Sequence, residues 1–195
     1  MPALPFERFA GLCALLAGIG SFLYALVFLV LHNTGLSALV LLLVGLLSAA
    51  ALVAVYLRLH ETDAAFALWA FLLSVTGALG SAIHGGYDLA LALHPVPSMS
   101  AFPNPIDPRG LLSFGVAGLG VALLAWLIVR GHRFPPRLGY LGYVAAILLL
   151  ILYLGRLTVL DARSPVIAVP AVLSGFLINP AWYIWLGLDL WRGRS

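Results

Sequence analysis

The chain has 195 residues, 63% of them hydrophobic and only 9% charged, with a formal net charge of +3, whereas soluble domains need about 25% charged residues to stay dissolved. Lipid is therefore the solvent for most of its surface, and a nucleic-acid partner is excluded because the basic residues stand singly at the ends of apolar runs, where they orient the protein. All ten basic residues are arginine, which rules out chemistry that needs a lysine amine: a retinal or pyridoxal phosphate Schiff base, or a Walker A phosphate clamp.

Six apolar runs bounded by charge, Pro or Gly fall at about 9–31, 36–57, 64–83, 110–129, 138–160 and 166–190, each long enough to cross the ~30 Å hydrocarbon core as a helix. The runs are continuous and do not alternate, so the fold expected is all-α: a single-domain, polytopic membrane helical bundle over residues 1–195. The first run exceeds the roughly 7 to 15 residues of a signal-peptide core and reads as an uncleaved span. It carries the only cysteine, Cys13, which leaves no disulfide and no CxxC pair. Small residues recur at helical spacing at Ala10, Ala14 and Gly18, at Gly77 and Ser81, and at Gly118 and Ala122. Such stripes let backbones approach, and they place the first, third and fourth spans in the interior of the bundle.

The third run closes on His84-Gly85-Gly86-Tyr87-Asp88. If the helix continues through it, His84 and Asp88 share one face, in reach of one metal ion or polar ligand; the Gly-Gly pair equally suits a helix end. The long connection from about 85 to 109 holds Pro95, Pro97, Pro103, Pro105 and Pro108 and reads as a stiff cap over one mouth of the bundle. Arg156, near the end of the fifth run, must snorkel outward or pair with a carboxylate such as Asp88 or Asp161. In the sixth run Asn179-Pro180 removes a hydrogen bond to the Phe176 carbonyl and predicts a kink. Trp182, Tyr183 and Trp185 then read as interfacial anchors or a flat pocket wall, and Asp189 as a surface pair with Arg192 three residues on.

With six spans, Arg8, Arg58, Arg130, Arg133, Arg137, Arg192 and Arg194 fall on one side and Arg109, Arg156 and Arg163 on the other. Seven against three places both termini in the cytoplasm of a cell-membrane protein. Tyr56, Trp69, Trp126, Tyr140, Tyr143 and Trp191 agree, as aromatic anchors at the cytoplasmic headgroups.

No ionisable residue lies at the predicted middle of a span, which weighs against proton-coupled transport. The candidates gather instead at the extracytoplasmic mouth: His84, Asp88, Arg109, Arg156 and Asp161 as ligand-binding residues, and His84, Asp88 and His94 as possible metal ligands. Arginine forks there suit an anionic headgroup or carboxylated metabolite; the plainer alternative is a structural salt bridge. Enzyme signatures such as GxSxG and HxxxH are absent, and facing histidines for haem are lacking.

The six short-looped spans together with His84-Gly85-Gly86-Tyr87-Asp88-Leu89, Asp107-Pro108-Arg109-Gly110 and Asn179-Pro180-Ala181-Trp182-Tyr183 resemble bacterial multi-pass membrane proteins grouped as domains of unknown function. That resemblance implies a helical bundle in the cell membrane and carries over no catalytic residue. Three functions are expected in order: binding or sensing of a small polar ligand, lipid headgroup or metal at the mouth; a small lipid-modifying enzyme with His84 as general base and Asp88 orienting it; and an accessory subunit. Expected partners are membrane lipids, with a homo-oligomer or partner membrane subunit as the further possibility.

Overall fold

The structure is a computed structural model that describes residues 5–95, 110–159 and 164–193. Six helical spans run Pro5–Val30, Thr34–Leu59, Ala64–Leu93, Leu111–Arg130, Pro136–Thr158 and Pro165–Arg192, each long and apolar enough to cross a membrane. They are numbered 1 to 6 in chain order. The chain is a polytopic membrane helical bundle, and its described residues contain no strand.

Each span packs on its neighbours in the chain, and span 6 closes on span 1, so the bundle is a ring of alternating helices with both termini at one end. Local sequence sets the helix starts. Asn33 accepts from the Leu36 amide at 3.0 Å and caps span 2, Asp63 accepts from the Phe66 amide at 3.2 Å and caps span 3, and Pro136 and Pro165 open spans 5 and 6, where a missing N–H removes nothing. Within the spans, the Ser21, Ser81 and Thr158 hydroxyls donate to carbonyls one turn back, which satisfies polar groups that lipid cannot.

The small-residue stripes are buried, with one correction to where they lie. Ala10, Ala14, Gly18, Gly77 and Gly118 are buried, but at contacts between adjacent spans, and no span sits inside the others. A Cβ on Gly18 would stand 3.0 Å from the Pro180 carbonyl of span 6, and one on Gly77 2.7 Å from the Ala117 Cα of span 4. Close backbone contact between neighbouring spans replaces the interior position expected for the first, third and fourth spans.

Span 3 is the second correction. Gly85 and Gly86 do not end it; the helix runs on to Leu93, so residues 85–93 of the expected cap are helical, while 96–109 lie outside the described residues. Gly85 is a packing residue: a Cβ there would meet the Ala38 carbonyl oxygen and the Leu42 amide nitrogen of span 2, each at 2.5 Å. Glycine costs helix stability where it is exposed, yet here it lets two helices touch.

Span 6 bends the expectation at Asn179-Pro180 into a particular form. A π-helical turn spans Ser174–Ile178, and the Asn179 amide donates to the Ser174 carbonyl. The break demanded by Pro180 is thus absorbed by one wider turn before it. The Asn179 amide side chain also donates to the Ser174 hydroxyl at 3.0 Å. Pro170, inside the same span, is a further interruption that sequence reading passed over.

The two ends of the ring differ. All the largest fully buried side chains, Trp182, Leu59, Leu124, Leu127, Ile128, Leu138, Leu186, Leu190 and Val55, lie toward the end that holds the termini. Toward the other end, called the mouth below, the buried positions are mostly Ala, Gly and Ser, such as Ala25, Ser37, Ala38, Ala82 and Ser174.

Candidate functional site

The continuation of span 3 through its glycines puts His84 and Asp88 one turn apart, and the His84 Nε2 stands 3.3 Å from the Asp88 Oδ2. From Ala64 to His84 the helix rises about 30 Å, the thickness of the hydrocarbon core, so Asp88 falls at headgroup depth. A cleft of about 330 Å³ opens beside it between spans 1, 2 and 3, lined by Tyr24, Phe28, Thr34, Ser37, Ala38, Leu41, Asp88, Leu91 and Ala92. Its polar groups are three hydroxyls and one carboxylate; the rest is apolar.

Tyr24 lines the cleft together with Asp88. Among the described residues Arg156 makes no ion pair: the carboxylates that form one do so with Arg58, His84 or Arg133. The expected Arg156 pair with Asp88 is therefore not formed directly. The Tyr24 and Phe28 rings stack at 5.5 Å and 9°, giving the cleft a flat aromatic wall.

Among the described residues, the three π-helical segments lie in the mouth half or at mid-depth: Leu26–Val30 in span 1, Leu111–Val116 in span 4 and Ser174–Ile178 in span 6. Such wide turns concentrate at functional sites because they re-aim side chains. The span 1 segment directly follows Tyr24 and contains Phe28. The turn after it holds His32 at φ 50°, a left-handed backbone that a non-glycine residue adopts at some energetic cost.

Of the residues expected at the mouth, His84 and Asp88 stand together and Arg156 lies in the last turn of span 5; Arg109 and Asp161 lie outside the described residues. His94 caps the C-terminus of span 3, ten residues and about 15 Å of helical rise beyond His84. No group of three His, Cys, Asp or Glu side chains that could hold a metal occurs among the described residues. Tyr24, Thr34 and Ser37 were missed by sequence reading. The only signal was Tyr24 itself, a phenol seven residues inside the predicted end of an apolar run.

The terminus end holds a different constellation. Arg58 of span 2 donates from Nε to the Glu7 carboxylate at 2.8 Å and from Nη1 to the Asp189 carboxylate at 3.1 Å, and its guanidinium lies 5.2 Å over the Phe134 ring. The Arg58 side chain is 9% exposed, Glu7 17% and Asp189 4%. Asp189 is thus not the surface partner of Arg192: it is buried and joins span 6 to span 2. Trp182 is likewise core, 2% exposed, and neither anchor nor pocket wall. Trp69, Tyr140 and Trp191 do project outward, as headgroup anchors would.

The chain matches no family model, no curated protein and no solved structure.

Proposed function

We propose that this is a binding or sensing protein of the cell membrane, with both termini in the cytoplasm, whose extracytoplasmic mouth holds a small polar ligand or a lipid headgroup. One observation carries this reading: Asp88, whose Oδ2 lies 3.3 Å from the His84 Nε2, lines a cleft together with the Tyr24, Thr34 and Ser37 hydroxyls and apolar residues of three spans. Ligand sites combine those two features, a mostly apolar wall and a few convergent polar groups. The arginine asymmetry along the sequence supports the orientation. A metal ion is the less favoured occupant, since His84 and Asp88 offer only two ligands between them.

A second reading has its own support. The His84–Asp88 contact is the arrangement in which a carboxylate orients an imidazole for general-base catalysis, and its depth suits a lipid headgroup substrate. Turnover of a lipid lost in His84→Ala would favour the enzyme; ligand retention without turnover favours the binding protein.

The test is native mass spectrometry of the gently solubilised protein beside its Asp88→Asn and His84→Ala variants. A co-purifying small molecule or lipid should accompany the wild type and fall away in both variants. Equal adducts on all three would place the ligand elsewhere and end the proposal. Sidedness is separately measurable, because the only native thiol, Cys13, is buried. Intact cells bearing His94→Cys should react with an impermeant maleimide, and cells bearing His132→Cys should not; the reverse pattern would invert the orientation.

A further inference from the structure

The outside of the terminus end carries a separate feature, on the face where spans 3 and 4 meet. The Arg130 guanidinium, in the last turn of span 4, lies 5.0 Å over the Trp126 ring. Trp126 in turn meets Phe66 of span 3 at 5.1 Å between ring centroids, and Phe66 meets Trp69 at 6.2 Å. Phe66 and Trp69 are 40% and 52% exposed and Arg130 is exposed, so the patch faces outward from the bundle. A charged fork thus stands at the helix end with flat apolar rings about one turn deeper, the depth at which a membrane passes from headgroup to acyl chain. The neighbouring charges are already engaged: Arg58 by Glu7 and Asp189, Arg133 by Glu61, and Asp63 by the Phe66 amide that it caps. Arg130 makes no ion pair among the described residues, and its stacking on Trp126 restrains the fork before any anion arrives.

We infer that this patch holds an anionic phospholipid of the leaflet at the terminus end, its phosphate on Arg130 and the start of an acyl chain along the Trp126, Phe66 and Trp69 rings. The site is independent of the mouth and of what binds there. Lipid is the solvent that an outward-facing patch at this depth meets, and a planar guanidinium matches a phosphate with two donors at once. A zwitterionic headgroup would bring its own ammonium towards that guanidinium, so a lipid of net negative charge is favoured.

The test uses the full chain in nanodiscs of phosphatidylcholine and phosphatidylglycerol, with retained lipid read by native mass spectrometry. The wild type should keep phosphatidylglycerol over phosphatidylcholine by about fivefold, the discrimination one arginine gives near a membrane surface. Arg130→Gln should remove most of that preference while melting as the wild type does. Arg130→Lys, which keeps the charge without the planar fork, should fall between the two. Arg137→Gln removes another exposed arginine, at the start of the adjoining span 5, and should leave the preference in place. Equal losses in Arg130→Gln and Arg137→Gln would mean a diffuse attraction to the basic end of the bundle and would overturn the site, as would a wild type that retains the two lipids alike. Inorganic phosphate in excess should fail to displace the lipid; displacement would make the patch a site for a soluble anion and overturn the lipid assignment.

Discussion

The terminus end and the mouth both place ionisable side chains inside a ring of apolar helices, and they use them in different ways. At the terminus end Arg58, Glu7 and Asp189 come from three spans and are joined through the Arg58 guanidinium in a site that large side chains close off. At the mouth, Asp88, at an exposure of 37%, lies 3.3 Å from His84 on its own helix and lines an open cleft, and the buried residues of that half are mostly small. Charges that tie separate helices together hold a fold. Charges that line an open cleft are placed to meet a ligand.

The sharpest way to break that comparison is to remove Arg58. Arg58→Met leaves Asp189 as a buried carboxylate without its cation, which costs about 3–5 kcal/mol, so the melting midpoint in detergent should fall by several degrees. By contrast Glu61→Gln, which breaks the half-exposed pair with Arg133, should shift stability by less than about 0.5 kcal/mol. If the two variants melted alike, the terminus end would not be the clamp described here.

A smaller effect sharpens the account of span 3. Gly85→Ala drives a methyl against the span 2 backbone and should cost about 1–3 kcal/mol. Gly86→Ala, whose Cβ would stand 3.4 Å from the Leu42 side chain, should be neutral or add up to about 1 kcal/mol from helix propensity. Thermal unfolding of the pair decides whether this diglycine is an interface or a helix end.

The spans were legible because hydropathy and length suffice where every backbone group must be satisfied inside the helix. All six were found, and five of them to within a few residues at each end. Span 3 was cut short because Gly-Gly reads as a stop locally, while the reason it is helical, the span 2 backbone against Gly85, lies some forty residues away in sequence. Asp189 failed for the same reason. An i, i+3 arginine is visible in sequence, but Arg58, its actual partner, is 131 residues distant. His84 and Asp88 were legible because four-residue spacing is local. Tyr24 was not, since only the packing of spans 1, 2 and 3 brings it to the cleft that Asp88 lines.

The measurement that most directly tests the division between the two ends is a side-by-side comparison of Arg58→Met and Asp88→Asn, scored for melting midpoint and for retained ligand by native mass spectrometry. The expected result is a large fall in melting temperature for Arg58→Met alone, and loss of the co-purifying ligand in Asp88→Asn at an unchanged melting temperature in the ligand-free state. An Asp88→Asn protein that melts as early as Arg58→Met yet keeps its ligand would contradict it.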